Sequence, residues 1–361
     1  MSDIRHWIGL SMVRDIGPVT GRKLLAAFGS PESVFQANTD DLISLQGISR
    51  ERAGHIRKFC EWEAVETYLG RMKCEGITAV PYPDERYPEA LRNIEDAPLV
   101  LYMKGEYIPD DRFAIGVVGS RKHTAYGESV TQRIAGELAA SGFTVISGLA
   151  RGIDTLSHKS ALAAGGRTIA VLGSGPDVCY PAENRALTER IVSSGCVMSE
   201  FLPGTLPNKE NFPRRNRLIS GLSLGILVVE ATHNSGSLIT AGYALEQNKE
   251  VFAVPGNITS RNSEGTNKLL KQGAKMVLNA GDIIEELAPV LKGYISMKRR
   301  QTEPLIGEEE RLCSMLSPEP KHVDLISRES GLSVNQLLNL LLSLELKGIV
   351  KQASGKRFYI A

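Results

Sequence analysis

The sequence lacks the features that mark several classes of protein. Its five cysteines are scattered and form no CxxC pair, a pattern that suits reduced thiols in a cytoplasm rather than a disulfide framework. No apolar run approaches the ~18 residues that a membrane span needs. The first residues, MSDIRHWIGL, do not resemble a secretory signal. We therefore expect a cytoplasmic protein with no membrane partner.

A net charge is also nearly absent. The 42 Lys and Arg residues are balanced by 41 Asp and Glu residues, which leaves +1 over 361 residues. A protein without a global positive field attracts nucleic acid only through a local basic patch. Hydrophobic residues at 42% and charged residues at 23% are ordinary for globular domains, and the length predicts about two or three of them.

The two ends of the chain are predicted to be small domains. Residues 1–75 are helical in pattern, and two segments, DIGPVTGRKLLAAF and LQGISRERAGHIRKF, repeat a glycine turn followed by a helix. This pair resembles a SAM-like helix-hairpin-helix tandem, although a plain helical bundle would give the same pattern.

Residues 291–306 are predicted to be a linker. Residues 307–361 read helix, helix, helix and two strands, as in a winged helix, with Ser333 capping the third helix. Five leucines of this helix are predicted core residues: Leu337, Leu338, Leu340, Leu341 and Leu344.

Residues 76–290 alternate short apolar runs with helical patterns. Runs of Val, Ile, Leu and Ala flanked by glycine indicate strands buried on both faces. The alternation therefore predicts an α/β fold with a doubly wound parallel sheet, whose ligands bind beyond the carboxyl ends of the strands. A strand is predicted at the apolar end of 81–105, and the others at 113–119, 143–148, 167–173, 196–200, 225–230, 250–256 and 274–279.

The loop after the first of the parallel strands reads GVVGSRKHTAYG. A dinucleotide fold would place GxGxxG here, but Gly119 is followed by Ser120, Arg121 and Lys122. Small residues let the backbone approach an anion, and the Arg-Lys pair adds mobile positive charge. The next strand ends at Gly148 without the acidic residue that grips a ribose hydroxyl. A phosphate site is therefore predicted, and a nicotinamide-dependent dehydrogenase is disfavoured.

Two further loops lie on the same predicted edge. Ser235, Gly236 and Ser237 form a small-residue turn at a helix start, which is tolerant of anions. In SGLARGIDTLSHKSAL, Asp154 and His158 lie four residues apart on one helical face. They form either an acid-base pair or, as we favour, a capping aspartate and a surface or packed histidine. With no third ligand close in sequence, a metal site is not predicted.

The segment NFPRRNRLISG holds the densest positive charge. Arg214, Arg215 and Arg217 surround Asn216, directly after Phe212 and close to Lys209. Cations beside an aromatic face are how single-stranded nucleic acid is held, through its phosphates and by base stacking. The alternative is that these arginines pair with acidic neighbours or with a second subunit.

These motifs together resemble the DNA processing protein family called DprA or Smf. The resemblance covers residues 80–290 and rests on motifs in the family's order: GVVGSR, SGLARGID, GSGPDVCYPAEN, SEFLPG, FPRRNRLISGLS, SGSLITAGYALEQ, VPGN and EGTNKLL. It implies an extended Rossmann fold that binds single-stranded DNA and loads the RecA recombinase onto it. In natural transformation this protects incoming strands. It also implies a homodimer formed through the Rossmann domain, with no catalytic residue, metal or nucleotide cofactor.

The resemblance carries a set of DNA-binding residues onto this chain. Ser120, Arg121 and Lys122 match the family's basic first loop, and which of the two cations touches phosphate is left open. The basic and aromatic patch is matched by Lys209, Phe212, Arg215 and Arg217. Small-residue loops that line the same pocket are matched by Gly148, Ser235, Gly236 and Ser237.

Two other classes of function compete with this interpretation. Phosphoribohydrolase-like enzymes of similar fold place a catalytic acid where this chain has Ala241 in SGSLITAGYALEQ. That difference argues against nucleotide hydrolysis. Alternatively, the chain is a docking module in which the winged helix recruits a partner, because the third helix carries few basic residues.

Overall fold

A computed structural model describes residues 3–301, 307–317, 319–333, 336–338, 340–341, 344, 350–353 and 355–360, with only the backbone described for 292–301. The chain forms two compact units, Met1–Ile283 and Ile284–Ala361. Among the described residues, no helix combines the length and the apolar character needed to cross a membrane.

The first unit begins with a helical domain, as predicted. Its six helices are α1 (Ile4–Met12), α2 (Pro18–Phe28), α3 (Pro31–Gln36), α4 (Thr39–Ile43), α5 (Arg50–Arg57) and α6 (Trp62–Glu75). The two predicted glycine turns join α1 to α2 and α4 to α5. The core of this domain includes Leu99, Val100 and Tyr102 from the neighbouring sheet. The helical domain is therefore packed onto the sheet by shared apolar contacts.

The rest of the first unit is built on a nine-stranded sheet. Its strands are β1 (Thr78–Pro81), β2 (Val100–Gly105), β3 (Ala114–Val118), β4 (Thr144–Ser147), β5 (Thr168–Leu172), β6 (Cys196–Ser199), β7 (Gly225–Val228), β8 (Glu250–Ala253) and β9 (Lys275–Met276). Every strand predicted from the apolar runs is present. Strands β3 to β7 are fully buried, as expected for a sheet that is covered on both faces.

The sheet is mostly parallel, as predicted, with two antiparallel pairings at one edge. β1 pairs with β2, and β2 with β6, in antiparallel fashion, whereas β3 to β9 pair in parallel. β1 was not predicted. Its four residues, TAVP, end in a proline, and only Val80 is buried. Such a short edge strand carries little periodic signal.

The strand order indicates where on the sheet a ligand binds. The order β1-β2-β6-β5-β4-β3-β7-β8-β9 runs from β3 through β4, β5 and β6 on one side, and then returns to β7 on the other side of β3. The carboxyl ends of β3 and β7 therefore flank the topological switch point, where open α/β sheets bind their ligands. The helices around the sheet are α7 (Glu89–Arg92), α8 (Ala125–Ala140), α9 (Ile153–Ala163), α10 (Arg185–Ser194), α11 (Asn211–Leu222), α12 (Gly236–Glu246) and α13 (Glu264–Lys271).

The second unit holds the winged helix. Helix α14 (Ala280–Gln301) runs across the boundary between the units and covers most of the predicted linker 291–306, which is therefore helical up to Gln301. Helices α15 (Glu308–Met315) and α16 (Val323–Ser330) follow. A sheet with the order β10-β12-β11 joins the two predicted strands, β11 (Val350–Ala353) and β12 (Arg357–Ile360), to a short β10 (Lys321–His322).

The predicted third helix of this unit lies partly outside the described residues. Where it is described, the Ser333 Oγ accepts a hydrogen bond from the Gln336 backbone at 3.4 Å, in agreement with its predicted capping role. Leu337, Leu341 and Leu344 are buried, and Leu340 packs against them. The prediction was wrong for Leu338, which is 38% exposed.

Candidate functional site

A cleft of about 590 Å³ opens at the switch point. It lies between the loop after β3, the loop after β7, and the first turns of α11 and α12. The structure brings ten of the predicted site residues together in its lining: Gly119, Ser120, Arg121, Lys122, Phe212, Arg215, Asn216, Ser235, Gly236 and Ser237. Four others, Gly148, Lys209, Arg214 and Arg217, do not line it.

The loop after β3 presents two cations on a fixed backbone. The Ser120 Oγ accepts a hydrogen bond from the Lys122 backbone at 3.1 Å, and the Asn262 Nδ2 donates to the Lys122 carbonyl at 2.8 Å. The Arg121 and Lys122 side chains are exposed, and within the described residues no salt bridge joins them to a carboxylate. Two positive charges at the rim of the cleft are therefore free to meet an anion.

The arginine segment is helical, and this separates its charges. Arg214, Arg215 and Arg217 lie in α11, where successive residues are rotated by about 100° around the helix axis. Arg215 and Arg217 therefore point to opposite sides of the helix, whereas Arg214 and Arg217 share a face. For this geometric reason the three guanidinium groups do not all face the cleft.

Arg215 forms the floor of the cleft. It is buried, and its Nη1 donates to the carbonyls of Gly148, at 2.7 Å, and of Val171. Burial lowers the pKa of Arg215 to about 10, while the nearby Asp154 carboxylate favours the charged form. A Cβ at position 148 would collide with the Arg215 guanidinium in its present position. Gly148 therefore makes room for the buried cation.

Arg217 is part of an internal ion pair, which corrects its predicted contact with DNA. Its Nη2 lies 2.5 Å from the Glu200 carboxylate and its Nε lies 2.9 Å from Asp96. Burial raises the pKa of Glu200, and Arg217 and then Arg214 oppose that shift. Because the Glu200 and Arg217 side chains are only 4% and 6% exposed, the pair is internal to the protein and is not presented to a ligand.

Lys209 and Arg214 lie on the surface outside the cleft. The Arg214 side chain is 59% exposed and stands 3.9 Å from Glu200, on the side of α11 that it shares with Arg217. Its guanidinium also lies 5.3 Å from the centre of the Phe201 ring. Lys209 is exposed just before α11. Both positions suit contact with a polymer that extends beyond the cleft, rather than with a small molecule inside it.

Phe212 lies at the start of α11, between the two sets of cations. The guanidinium of Arg121 is 5.3 Å from the centre of its ring and that of Arg215 is 6.0 Å away. On another side, Gly173 allows the ring to approach its backbone, since a Cβ there would lie 2.9 Å from the Phe212 Cδ1. The cleft thus combines a fixed aromatic ring with positive charge, as predicted for this segment.

The start of α12 closes the other side of the cleft. Ser235 caps this helix, accepting from the Ser237 backbone at 3.4 Å. The Asn216 Nδ2 donates to the Gly236 carbonyl at 3.4 Å, and the Asn216 Oδ1 accepts from the Arg215 Nε at 3.1 Å. Asn216 therefore ties α11 to α12. The positive ends of both helix dipoles face the cleft, which favours a negatively charged ligand.

Asp154 and His158 do not form an acid-base pair. The Asp154 carboxylate accepts from the backbone nitrogens of Gly148, at 3.1 Å, and of Ala150, at 3.4 Å. It lies within the first turn of α9, whose N-cap is Gly152, so the predicted capping role was wrong although the residue is structural. His158 is fully buried, with its Nδ1 2.7 Å from the Thr168 Oγ1. Burial, with a smaller effect of Arg215, lowers the pKa of His158 to about 3. The imidazole is therefore neutral and structural.

Sequence reasoning missed the residues that hold this site in place. Asn262 and Thr232 line the cleft, and Glu200 neutralises Arg217. The motif SEFLPG, which contains Glu200, was recognised, and Asn262 lies between the recognised motifs VPGN and EGTNKLL, but no local pattern shows which side chain turns inward. In the helical domain, Asp15, Glu51 and His55 bring possible metal ligands within 4.8 Å of one another. The His55 Nδ1 lies 3.4 Å from the Asp15 carboxylate, and the two carboxylates are exposed.

Comparison with known families decides the relationship. A family model described as DNA recombination-mediator protein A matches residues 78–288, more than half of the chain. The chain belongs to this family. A model of the DprA winged helix domain matches residues 297–356, and one of the SAM-like helix-hairpin-helix tandem matches residues 8–61. Both terminal domains predicted from the sequence therefore have counterparts in known families.

Individual relatives support the family along nearly the whole chain. Protein Smf of Synechocystis is 33% identical over 398 aligned positions, covering 99% of this chain and 98% of that protein. The structure of DNA processing protein A from Streptococcus pneumoniae superposes with a TM-score of 0.69 at 33% identity, covering 79% of this chain and 99% of that one. A structure of DNA processing protein A from Helicobacter pylori, reported for its single-stranded DNA binding mode, is also similar. It superposes with a TM-score of 0.54 at 30% identity, covering 59% of this chain and 96% of that one.

Proposed function

We propose that this protein binds single-stranded DNA in the switch-point cleft and acts as a recombination mediator. The observation that carries the proposal is the free pair Arg121 and Lys122 beside the Phe212 ring. Phosphates would meet the two cations and the ends of the helix dipoles, and a base would stack on the ring. The family relationship, and the single-stranded DNA binding of the H. pylori relative, favour the same ligand.

The proposed role is binding without catalysis. Asp154 is the one carboxylate among the cleft-lining residues that the structure describes, and it is already held by two backbone amides. The position where the hydrolases carry their acid is Ala241, which is buried in α12. Neither group is placed to activate a water molecule. The protein would protect incoming strands and load RecA onto them during natural transformation, which requires a cytoplasmic location.

Binding is tested by fluorescence anisotropy with single- and double-stranded DNA of equal length at two salt concentrations. We expect tighter binding to the single strand and an affinity that falls with salt, because phosphate contacts release counterions. The mediator role is tested by adding the protein to strands coated with single-strand binding protein and measuring RecA ATP hydrolysis, which should accelerate. Equal affinity for the duplex, or release of base from nucleoside monophosphates, would contradict the proposal. Unchanged RecA activity alone would leave a binder that is not a mediator.

We further propose that two copies associate through the β9 edge of the sheet. β9 has only two residues and is the last strand in the sheet order. Met276 and Leu278 are both 57% exposed beside it. An exposed strand edge with apolar side chains favours pairing with a second chain.

The association is measured by sedimentation velocity. Met276→Arg with Leu278→Arg should shift a dimer to a monomer, because both charges would be buried in the interface. Leu206→Arg is the matched control, since Leu206 is 67% exposed in the loop after β6. A wild-type monomer at micromolar concentration, or a dimer that survives the double substitution, would refute this edge as the interface.

A further inference from the structure

Tyr180 is an exposed aromatic residue beside the cleft but outside its lining. It lies in the loop that follows β5, and it is 44% exposed. The centre of its ring is 5.9 Å from that of Phe212, with an angle of 38° between the planes. The two rings are therefore neighbours, and the tyrosine is the one more open to solvent.

The surroundings of Phe212 explain why a second aromatic ring, that of Tyr180, would contribute to binding. Phe212 is half-buried, with Gly173 against one edge and the guanidinium groups of Arg121 and Arg215 within 6.0 Å of its centre. This leaves limited ring area for bases at Phe212. A strand that continues in the direction of β5 would meet Tyr180 as the next aromatic surface.

The charges around Tyr180 decide what kind of contact it offers. Arg151 lies close enough to interact electrostatically with it. That guanidinium already makes two hydrogen bonds of 2.9 Å to the Glu183 carboxylate. Because the Arg151–Glu183 pair is neutral overall, the surface around Tyr180 adds little attraction for phosphate. Its contribution is expected to come from the ring.

We propose that Tyr180 is a second stacking platform, which takes the base next to the one held at Phe212. The ligand is an unpaired polynucleotide rather than a mononucleotide, because only a polymer reaches both rings with adjacent bases. Stacking on an aromatic face tolerates any base, so no sequence preference is expected. The inference rests on the proposed function and extends the strand's path from the β3 and β7 loops to the β5 loop.

The test compares oligo-dT binding by the full-length wild type, Tyr180→Ala and Tyr180→Phe. We expect Tyr180→Ala to weaken binding about tenfold, with an unchanged salt dependence, because stacking releases no counterions. Tyr180→Phe should bind like the wild type, since it keeps the ring. On an abasic strand of the same length, Tyr180→Ala should match the wild type. Tyr126→Ala is the matched control, because Tyr126 is similarly exposed, at 49%, but lies in the first turn of α8, where its hydroxyl donates to the Pro255 carbonyl, and not in the loop after β5.

The outcomes separate the two proposals. If Tyr180→Ala binds oligo-dT as tightly as the wild type does, Tyr180 is not a stacking platform. The proposed binding of single-stranded DNA in the cleft would then be unaffected. The platform would also fail if Tyr126→Ala lost as much affinity, or if the effect of Tyr180→Ala persisted on the abasic strand. Absence of wild-type binding to any single strand would overturn the proposed function together with the platform. Thermal unfolding of the variants establishes that each is folded.

Discussion

Replacing Arg121 and Lys122 together by alanine is expected to weaken oligo-dT binding by about 100-fold. A hydrogen bond to a charged group contributes about 1.5 kcal/mol, and 1.4 kcal/mol corresponds to a factor of ten in affinity. The slope of log affinity against log salt should fall by about 1.4, since each phosphate contact to a single strand contributes ~0.7. Anisotropy titrations over a range of salt concentrations measure both quantities.

The loop itself should tolerate these substitutions. Both side chains are exposed, and the hydrogen bonds that fix the loop use the Ser120 hydroxyl and the Lys122 backbone. Lys159→Ala with Arg190→Ala is the matched control, because these exposed cations lie on α9 and α10 and do not line the cleft. If both double variants weaken binding equally, general surface charge would explain the affinity, and the cleft would lose its assigned role.

Arg217→Ala is expected to lower the free energy of unfolding by about 3 kcal/mol. Urea denaturation measures this loss from the unfolding transition of the first unit. Removing one partner of a buried ion pair leaves the other charge without compensation, which typically costs ~3–5 kcal/mol. We take the lower end because Asp96, the other partner of Arg217, is 44% exposed. The stranded group is Glu200, whose side chain is 4% exposed.

The neighbouring arginine gives the control for this experiment. Arg214→Ala removes a 59% exposed side chain 3.9 Å from the same carboxylate, and surface pairs of this kind contribute at most about 1 kcal/mol. Adding Glu200→Gln to Arg217→Ala should recover part of the lost stability, since the stranded charge is then gone. Equal stability of the Arg214→Ala and Arg217→Ala variants would show that Arg217 is not the internal partner described here.

The prediction of the sheet from the sequence depended on its buried strands. The run GILV in β7 is apolar throughout and the run TIAVL in β5 is apolar after Thr168, because parallel strands are covered on both faces. The edge strands carry a weaker signal. β1 exposes Thr78 and was not predicted, and of the predicted strand 274–279 only the two exposed residues Lys275 and Met276 form β9. The antiparallel addition of β1 and β2 depends on how the helical domain delivers the chain to the sheet, which no local pattern records.

The candidate site could be predicted only as far as its loops. Residues that follow β3 and β7 had to meet, because the carboxyl ends of parallel strands share one edge. Side-chain direction within α11 could not be read in the same way. The motif FPRRN places charges close together along the chain, but it does not show that Glu200 stands on one side of the helix and the carbonyls of Gly148 and Val171 on the other.

By itself, the sequence determined the class of the fold and the place of the cleft, because apolar periodicity and glycine turns are local properties that survive in any arrangement of the elements. Only the tertiary structure decided which cations are free. Arg121 and Lys122 are exposed on a loop and form no salt bridge with the described carboxylates, Arg215 is buried under the cleft, and Arg217 is neutralised by Glu200. The charge of an arginine is compensated by groups that are close to it in space. Because an α-helix turns about 100° per residue, arginines that are adjacent in the sequence have different neighbours.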